Sequence, residues 1–189
     1  GRAAPTNFST VRVKRNVLRR SAIGGIFTNR SVATNGAGSN QAYGVDGVFS
    51  FYDHLNVNTY IARTETPELR GDDVSYQAQL DYNGDLWGVK IDRLGVGANF
   101  NPEVGFLARR SYRRMNGSVF TTFRPEDTLG LHEVRPHVFH YTVFDFDTGI
   151  QETQFTHIDN HLEWRNGFRV DTGVNLSKEG VFEPFEIFP

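Results

Sequence analysis

The sequence predicts an all-β protein: an antiparallel up-and-down meander of about ten strands that forms a segment of a transmembrane β-barrel. Three observations predict it. Apolar and polar residues alternate with a period of two, which places them on opposite faces of a strand. The alternating stretches run for roughly nine to eleven residues, the length that crosses a bilayer at a tilt. Short and long links alternate between them, as in bacterial outer-membrane barrels.

The first four strands are predicted from the alternation of residues 8–15, 21–29, 42–51 and 55–61. A tight turn at Tyr52-Asp53-His54 joins the third strand to the fourth. Residues 30–41 and 64–73, rich in Gly, Ser, Asn and acidic side chains, form long links before and after this pair. The four strands therefore form two hairpins joined by longer loops.

The fifth and sixth strands, residues 74–82 and 87–94, show the pattern most clearly. Asn83-Gly84 predicts a two-residue type I′ turn between them. Pairing Tyr82 with Asp85 across that turn places Leu80 opposite Trp87. The hairpin then has one apolar and one polar face.

The last four strands are predicted at residues 112–123, 134–146, 150–164 and 168–177. Numbered along the chain, the links 2–3, 4–5 and 6–7 are long and the links 1–2, 3–4, 5–6 and 9–10 are short. In a meander the three long links lie at one end of the sheet. The links 7–8 and 8–9 depart from this rule.

The composition narrows the class of protein. The 189 residues suffice for one domain, and 20 basic against 22 acidic residues give a net charge of −2, which argues against a nucleic-acid partner. Without cysteine, a disulfide-stapled scaffold is excluded. No apolar run reaches the length of a membrane helix, which leaves barrel strands open. Because the chain ends on Pro189, which cannot donate to a ladder, we expect residues 1–189 to be one segment inside a longer barrel.

In the barrel interpretation the apolar face meets lipid and the polar face lines a lumen. The expected lipid-facing residues are Leu80, Trp87, Val89, Ile91, Val170 and Val174. The expected lumen-facing residues are Asp46, Gln77, Gln79, Lys90, Asp92, His161, Arg169 and Asp171. Aromatic residues near strand ends are typical of interfacial girdles: Tyr43, Phe51, Tyr82, Trp87, Trp164 and Phe168. A soluble β-sandwich would instead pack its apolar face inward.

Several motifs carry a family resemblance: RVKR followed by RSAIGGIFTNR, then AYGVDG, GDDVSY and NFNPEVGF, between Asn7 and about Arg114. The ending EPFEI, Glu183 to Ile187, is similar too. These segments resemble the bacterial family called domain of unknown function 5916. The resemblance implies an outer-membrane barrel that follows a domain similar to family-9 carbohydrate-binding domains, and hence a Gram-negative envelope and a glycan partner upstream. It implies no catalytic residues.

Titratable side chains on the ninth strand form the candidate chemical site. His157, Asp159, His161 and Glu163 share one face, and a turn at Arg165-Asn166-Gly167 pairs His161 with Asp171. His157, His161 and Asp171 are the candidate metal ligands, and we expect His140 to approach His157 across the preceding hairpin. The alternative is a charged lumen network without metal. We assign no catalytic residue and no cofactor.

Two charged loops have alternative interpretations. Glu65, Glu68, Asp72 and Asp73 could bind calcium or form a solvated acidic loop. Arg109, Arg110, Arg113 and Arg114 either pair with acidic neighbours or bind lipopolysaccharide phosphates.

The function predicted from these features is that of a membrane anchor or pore in the bacterial outer membrane, with the lipid bilayer as partner and no enzymatic activity. A soluble carbohydrate-binding β-sandwich is the first alternative. The second is an envelope hydrolase that uses the histidine and acidic groups of the last three strands.

Overall fold

The computed structural model describes residues 5–126 and 128–182. Every regular element in these ranges is a β-strand, with 10 to 15 residues in each. The strands are β1 (Phe8–Val17), β2 (Ser21–Arg30), β3 (Asn40–Phe51), β4 (Leu55–Glu65), β5 (Val74–Asn83), β6 (Trp87–Val96), β7 (Tyr112–Thr121), β8 (Leu131–Asp145), β9 (Gln151–Trp164) and β10 (Arg169–Glu179). The EPFEI segment lies outside the described residues.

The ten strands form a single sheet in which each strand pairs antiparallel with its sequence neighbours. The all-β meander predicted from the alternation is therefore confirmed. In the described ranges β1 and β10 are the two edges and do not pair with each other, so the sheet is open. A sandwich of two sheets is not formed by these strands, because all ten belong to one ladder.

Consecutive links lie at opposite ends of the sheet, which we call the turn end and the loop end. The turn end carries the links β1–β2, β3–β4, β5–β6, β7–β8 and β9–β10, and the loop end carries the other four. Three long links, residues 31–39, 66–73 and 97–111, lie at the loop end, and a fourth, residues 122–130, lies at the turn end. At the turn end Arg20 donates a 2.6 Å hydrogen bond to Asp53, which lowers the pKa of that exposed carboxyl. The predicted location of the links 2–3, 4–5 and 6–7 at one end is confirmed, and the link 7–8 departs from this rule as predicted.

The turn between β5 and β6 differs from the prediction. Asn83 still belongs to β5 and pairs with Gly88, and neither Asn83 nor Gly84 has a positive φ, so the two-residue type I′ turn was wrong. The neighbouring turn explains the difference, because the Asn83 N–H donates to the His54 carbonyl over 2.9 Å and keeps Asn83 extended. Leu80 consequently lies opposite Ile91 instead of Trp87. The pairing is displaced by an even number of residues, so each side chain keeps its predicted face.

The continuous register divides the strand side chains between two faces. The apolar face is the one that carries Val11, Val13, Ile23, Val45, Ile61, Leu80, Val89, Ile91, Val119, Val138, Ile158, Val170 and Val174. The polar face is the one that carries Arg12, Asp46, Asn58, Gln77, Gln79, Lys90, Asp92, Asn116, His157, Asp159, His161, Arg169 and Asp171.

The described chain has almost no apolar core. Its fully buried apolar side chains are Ala22, Ala33, Val96 and Phe100. The accessible surface is 12899 Å², whereas a compact soluble protein of this mass exposes about 9,100 Å². The sheet is therefore stabilised by its ladder and by polar contacts much more than by burial of its own apolar residues.

Candidate functional site

The apolar face is the largest unusual surface of the molecule. Its side chains are exposed, with Val13 at 66% and Val45 at 60%, and no second layer covers them in residues 5–126 and 128–182. Other exposed members are Val11, Ile23, Ile61, Ile91, Met115, Val119, Val138, Ile158, Val174 and Leu176. The six residues expected to face lipid all project from this face. Soluble monomers rarely expose contiguous apolar patches larger than a few hundred Å², and larger patches mark surfaces that contact lipid or protein.

Aromatic side chains border the apolar face at both ends of the sheet. Phe51, Tyr82, Trp87, Trp164 and Phe168 lie at the turn end, where the rings of Trp164 and Phe168 are 5.3 Å apart. Tyr43 lies toward the loop end together with Phe27, its register partner on β2. The eight residues that separate Tyr43 from Phe51 on β3 span about 27 Å, or about 20 Å when projected at the tilt of barrel strands. That separation is close to the height of a lipid-facing band.

Charge is segregated between the faces. The strand carboxylates of the polar face are Asp46, Asp81, Asp92, Glu133, Asp145, Asp159, Glu163, Asp171 and Glu179. Two strand carboxylates lie outside this set, both near the loop end. Glu65, the last residue of β4, accepts a 2.9 Å hydrogen bond from Tyr43, and Glu152, at a β-bulge near the start of β9, pairs with Arg109. The cations of the apolar face are Arg15 toward the turn end and Arg63, Arg93, Arg113 and Lys178 toward the loop end. Such long side chains can reach a polar interface from an apolar surface.

The polar face is held together by ion pairs and by hydrogen bonds of amide side chains across neighbouring strands. Arg12 of β1 reaches Asp46 of β3 across β2, where Gly24 leaves the necessary space. The buried carboxylate of Asp92 is 3.1 Å from Arg114 and accepts a 2.6 Å hydrogen bond from Gln77. All eight residues expected to face a lumen share this face.

The long loops at the loop end pack together. We call residues 31–39, 66–73 and 97–111 the loop assembly. The 97–111 segment extends back over the polar face, where Asn99 and Asn101 contact the buried side chains of Asn40 and Thr64. Asn40 Nδ2 donates to the carbonyl of Asn101 over 2.8 Å. Gly97 permits this approach, because a Cβ there would lie 2.0 Å from the Asp72 carbonyl oxygen.

Glu103, from the NFNPEVGF motif, is the central polar residue of the loop assembly. Its side chain is 4% exposed, and its carboxylate accepts hydrogen bonds from the Thr34 hydroxyl at 2.6 Å and the Thr34 amide at 2.9 Å. Arg30 provides the compensating charge at 3.3 Å. The motif alone did not indicate a role for this glutamate.

The arginine cluster mainly pairs within the chain. Arg109 pairs with Glu152, and Arg114 with Asp92. Arg110 donates to the amide oxygen of Asn101. Arg113 donates to the carbonyl of Phe146 and lies 4.6 Å from the centre of its ring. These contacts favour the first of the two interpretations of the cluster.

A cluster of three imidazoles surrounds one carboxylate on the polar face of β8 and β9. His137 Nδ1 is 3.1 Å from Asp159 Oδ1, and His157 Nε2 is 3.0 Å from Asp159 Oδ2. His161 Nε2 approaches the same carboxylate at 3.2 Å. We call His137, His157, His161 and Asp159 the histidine cluster. Among the described residues, the group of metal-ligating side chains whose atoms lie within 4.8 Å of one another is His137, His157 and Asp159.

The cluster differs in part from the candidates taken from the sequence. His161 pairs with Asp171 as predicted, with a 2.5 Å contact, whereas His157 and His161 meet at Asp159 and not at Asp171. His140 does not approach His157: it lies on the apolar face, bonded to Thr156. His137 was missed. Glu133 and Arg135 precede it at alternate positions of β8, so these three residues share one face. The two charged residues could have shown that His137 lies on the polar face.

The acidic residues of the 66–73 loop do not form a comparable group in the described chain. Asp73 pairs with Arg63 at 3.0 Å, and Glu65 binds Tyr43. Ion pairing and solvation account for their arrangement.

Aromatic residues also occur on the polar face, beside the histidine cluster. Phe139, Tyr141 and Phe155 form a patch with ring centres 5.7 to 6.4 Å apart. The two most exposed aromatic side chains of the described ranges, Tyr52 and Phe106, lie at opposite ends of the sheet. They cannot form one coplanar glycan platform.

The described residues contain no helix that is long and apolar enough to span a membrane. The chain matches no protein-family model, no curated protein and no solved structure. The resemblance to the family called domain of unknown function 5916 therefore stays a prediction that depends on the quoted motifs.

Proposed function

We propose that this chain is part of the wall of a bacterial outer-membrane β-barrel, in which the apolar face contacts lipid and the polar face lines a water-filled lumen. The observation that supports it most is the exposed apolar face with aromatic side chains at both of its ends. In water the exposed apolar side chains would carry a large free-energy cost of hydration, whereas in a bilayer they contact apolar lipid chains.

The distribution of charge supports the same assignment. A carboxylate in the middle of a lipid-exposed strand is costly, and the strand carboxylates lie on the polar face except Glu65 and Glu152, which lie near the loop ends of β4 and β9. Arginine and lysine partners for several of these carboxylates lie on that same face, as in Arg12–Asp46 and Arg114–Asp92. A hydrated lumen accommodates such pairs at little cost.

The open edges of the sheet define what else the barrel requires. In hydrocarbon, each unpaired backbone N–H or C=O costs several kcal/mol, so β1 and β10 must pair with further strands, which a second copy of the chain supplies when residues 1–189 insert alone. We propose that a longer parent chain supplies those strands and that the barrel anchors an envelope protein. The family resemblance adds a glycan-binding-like domain upstream of the barrel to this proposal.

The loop assembly bears on the choice between an anchor and an open pore. Residues 97–111 fold over the polar face at one end of the sheet and bury Asn40 and Thr64 there. A loop that folds inward narrows the lumen it covers. The arrangement therefore favours an anchor or a restricted channel over a wide pore.

Insertion into lipid tests the proposal. The purified chain is refolded in the presence of phosphatidylcholine vesicles and floated on a density gradient. We expect the folded chain to float with the vesicles, and brominated acyl chains to quench the emission of Trp87 and Trp164, because both side chains lie on the apolar face.

The matched control is the same refolding in vesicle-free buffer. There we expect association of the exposed apolar faces instead of a monodisperse monomer. A monodisperse, folded monomer in buffer that does not float with vesicles would overturn the proposed function.

A further inference from the structure

We propose that His137, His157 and Asp159 bind one divalent transition-metal ion, of which Zn²⁺ is the representative. The proposal does not depend on the medium around the sheet, since it concerns only side chains of β8, β9 and β10. It adds a metal site to a chain whose proposed function requires none.

The spacing of the ligand atoms fits such an ion. Zinc bound at about 2.0 to 2.1 Å by nitrogen and oxygen in a tetrahedron places adjacent ligand atoms about 3.3 Å apart. The observed separations are 3.1 Å from Asp159 Oδ1 to His137 Nδ1 and 3.0 Å from Asp159 Oδ2 to His157 Nε2, and one ligand atom from each of the three side chains lies within 4.8 Å of the other two. Small side-chain rotations therefore suffice to admit the ion.

The outer partners of the imidazoles have the arrangement that metal-binding histidines use. A ligating histidine usually donates its second ring N–H to an amide or carboxylate oxygen, which fixes the tautomer. Asn175 Oδ1 accepts from His157 Nδ1 at 2.5 Å, so a neutral His157 presents the lone pair of Nε2 toward Asp159. His161 is oriented in the same way, with Nδ1 on Asp171 and Nε2 toward Asp159.

The local charge also favours a dication. Asp159 and Asp171 contact only imidazoles in the described structure, and no arginine or lysine neutralises them. The nearby cations are already paired, because Arg124 and Arg135 bind Glu133 and Arg169 binds Glu163. With neutral imidazoles, the two carboxylates leave a formal charge of −2 that a divalent ion balances.

The position of the cluster permits an ion to enter. His137 and His161 line an open cavity of about 350 Å³ on the polar face. Gly173 lies opposite Asp159 on β10, and its missing side chain leaves space beside the His157 ring and the Asp159 Cβ. Three side chains provide the ligands, and a fourth position is left for water or His161.

Titration calorimetry tests the site. The 189-residue chain in detergent micelles is stripped with EDTA, dialysed and titrated with ZnCl₂. We expect one Zn²⁺ per chain, an absorption spectrum of tetrahedral Co²⁺ when CoCl₂ replaces zinc, and no competition by Ca²⁺, which prefers oxygen ligands.

Variants identify the ligands. His137→Ala, His157→Ala and the isosteric Asp159→Asn should each weaken zinc binding at least tenfold. Asn175→Leu removes only the outer hydrogen bond of His157 and should weaken binding about tenfold. His140→Ala is the matched control, because His140 belongs to the same strand as His137 but projects from the other face.

The outcomes decide the proposal. It is overturned if the folded wild-type chain binds no zinc, or if His140→Ala loses as much affinity as His157→Ala. Circular dichroism confirms the β-sheet of each variant. Asp159→Asn and Asn175→Leu preserve side-chain volume closely enough to keep the test valid if an alanine variant does not fold.

Discussion

Val138→Arg should lower the free energy of unfolding of the membrane-inserted chain by about 2 to 4 kcal/mol, the cost of an arginine near the midplane of a bilayer on the lipid face of a barrel. Val138 is exposed on the apolar face and is the middle residue of β8. The arginine would have to stay in hydrocarbon or distort the bilayer to reach water. Urea unfolding in vesicles, followed by tryptophan emission, measures the change.

Ser118→Arg is the matched control, because Ser118 pairs with Phe139, the residue after Val138, and projects from the polar face. Its neighbour Lys90 is already paired with Asp81 at 3.3 Å, so the added charge should cost less than about 1 kcal/mol in a hydrated lumen. Equal effects of the two substitutions, or a larger effect of Ser118→Arg, would contradict the assignment of the faces.

Glu103→Ala should destabilise the loop assembly by about 3 kcal/mol, because it leaves the part-buried Arg30 without its counter-charge and the Thr34 donors without an acceptor. We expect the loops to open locally while the ladder of β1 to β10 persists, since the carboxylate contacts only the loop end of the sheet. Hydrogen exchange of the Thr34 amide, which donates to Glu103, is the direct measurement.

Glu68→Ala provides the comparison for this variant. Glu68 belongs to the same loop assembly but is exposed, and its removal should change the exchange of Thr34 by less than a factor of two. If Glu103→Ala leaves the protection of Thr34 unchanged, Glu103 does not hold the loops together.

The alternation with a period of two made the strand positions and the faces of their side chains predictable from the sequence. The positions of all ten strands followed from it, and the faces of Leu80 and Gln79 survived the wrong turn between β5 and β6 because the register was displaced by an even number of residues. The register itself was not predictable from the hairpin alone. It depends on the contact between His54 and Asn83, which belongs to the neighbouring strand pair.

The candidate site was predictable only in part, for a similar reason. The pairing of His161 with Asp171 followed from a short turn, since few registers are available across it. To predict the contact of His137 with Asp159, one must know which residues of β8 lie on the polar face. Apolar residues occur on both faces of β8 and obscure the alternation. The role of Glu103 depends on a loop that crosses several strands, and no local pattern encodes that path.

Spin-label accessibility along β5 tests the central proposal most directly. The chain has no cysteine, so single cysteines at residues 76 to 81 can carry a nitroxide without competing sites. In vesicles, labels at Tyr76, Ala78 and Leu80 should be relaxed by oxygen, which concentrates in lipid, and labels at Gln77, Gln79 and Asp81 by a water-soluble chromium chelate. A period-two alternation in this phase is the predicted result. Uniform accessibility to the chelate at all six positions, or alternation in the opposite phase, would contradict a lipid-facing apolar surface.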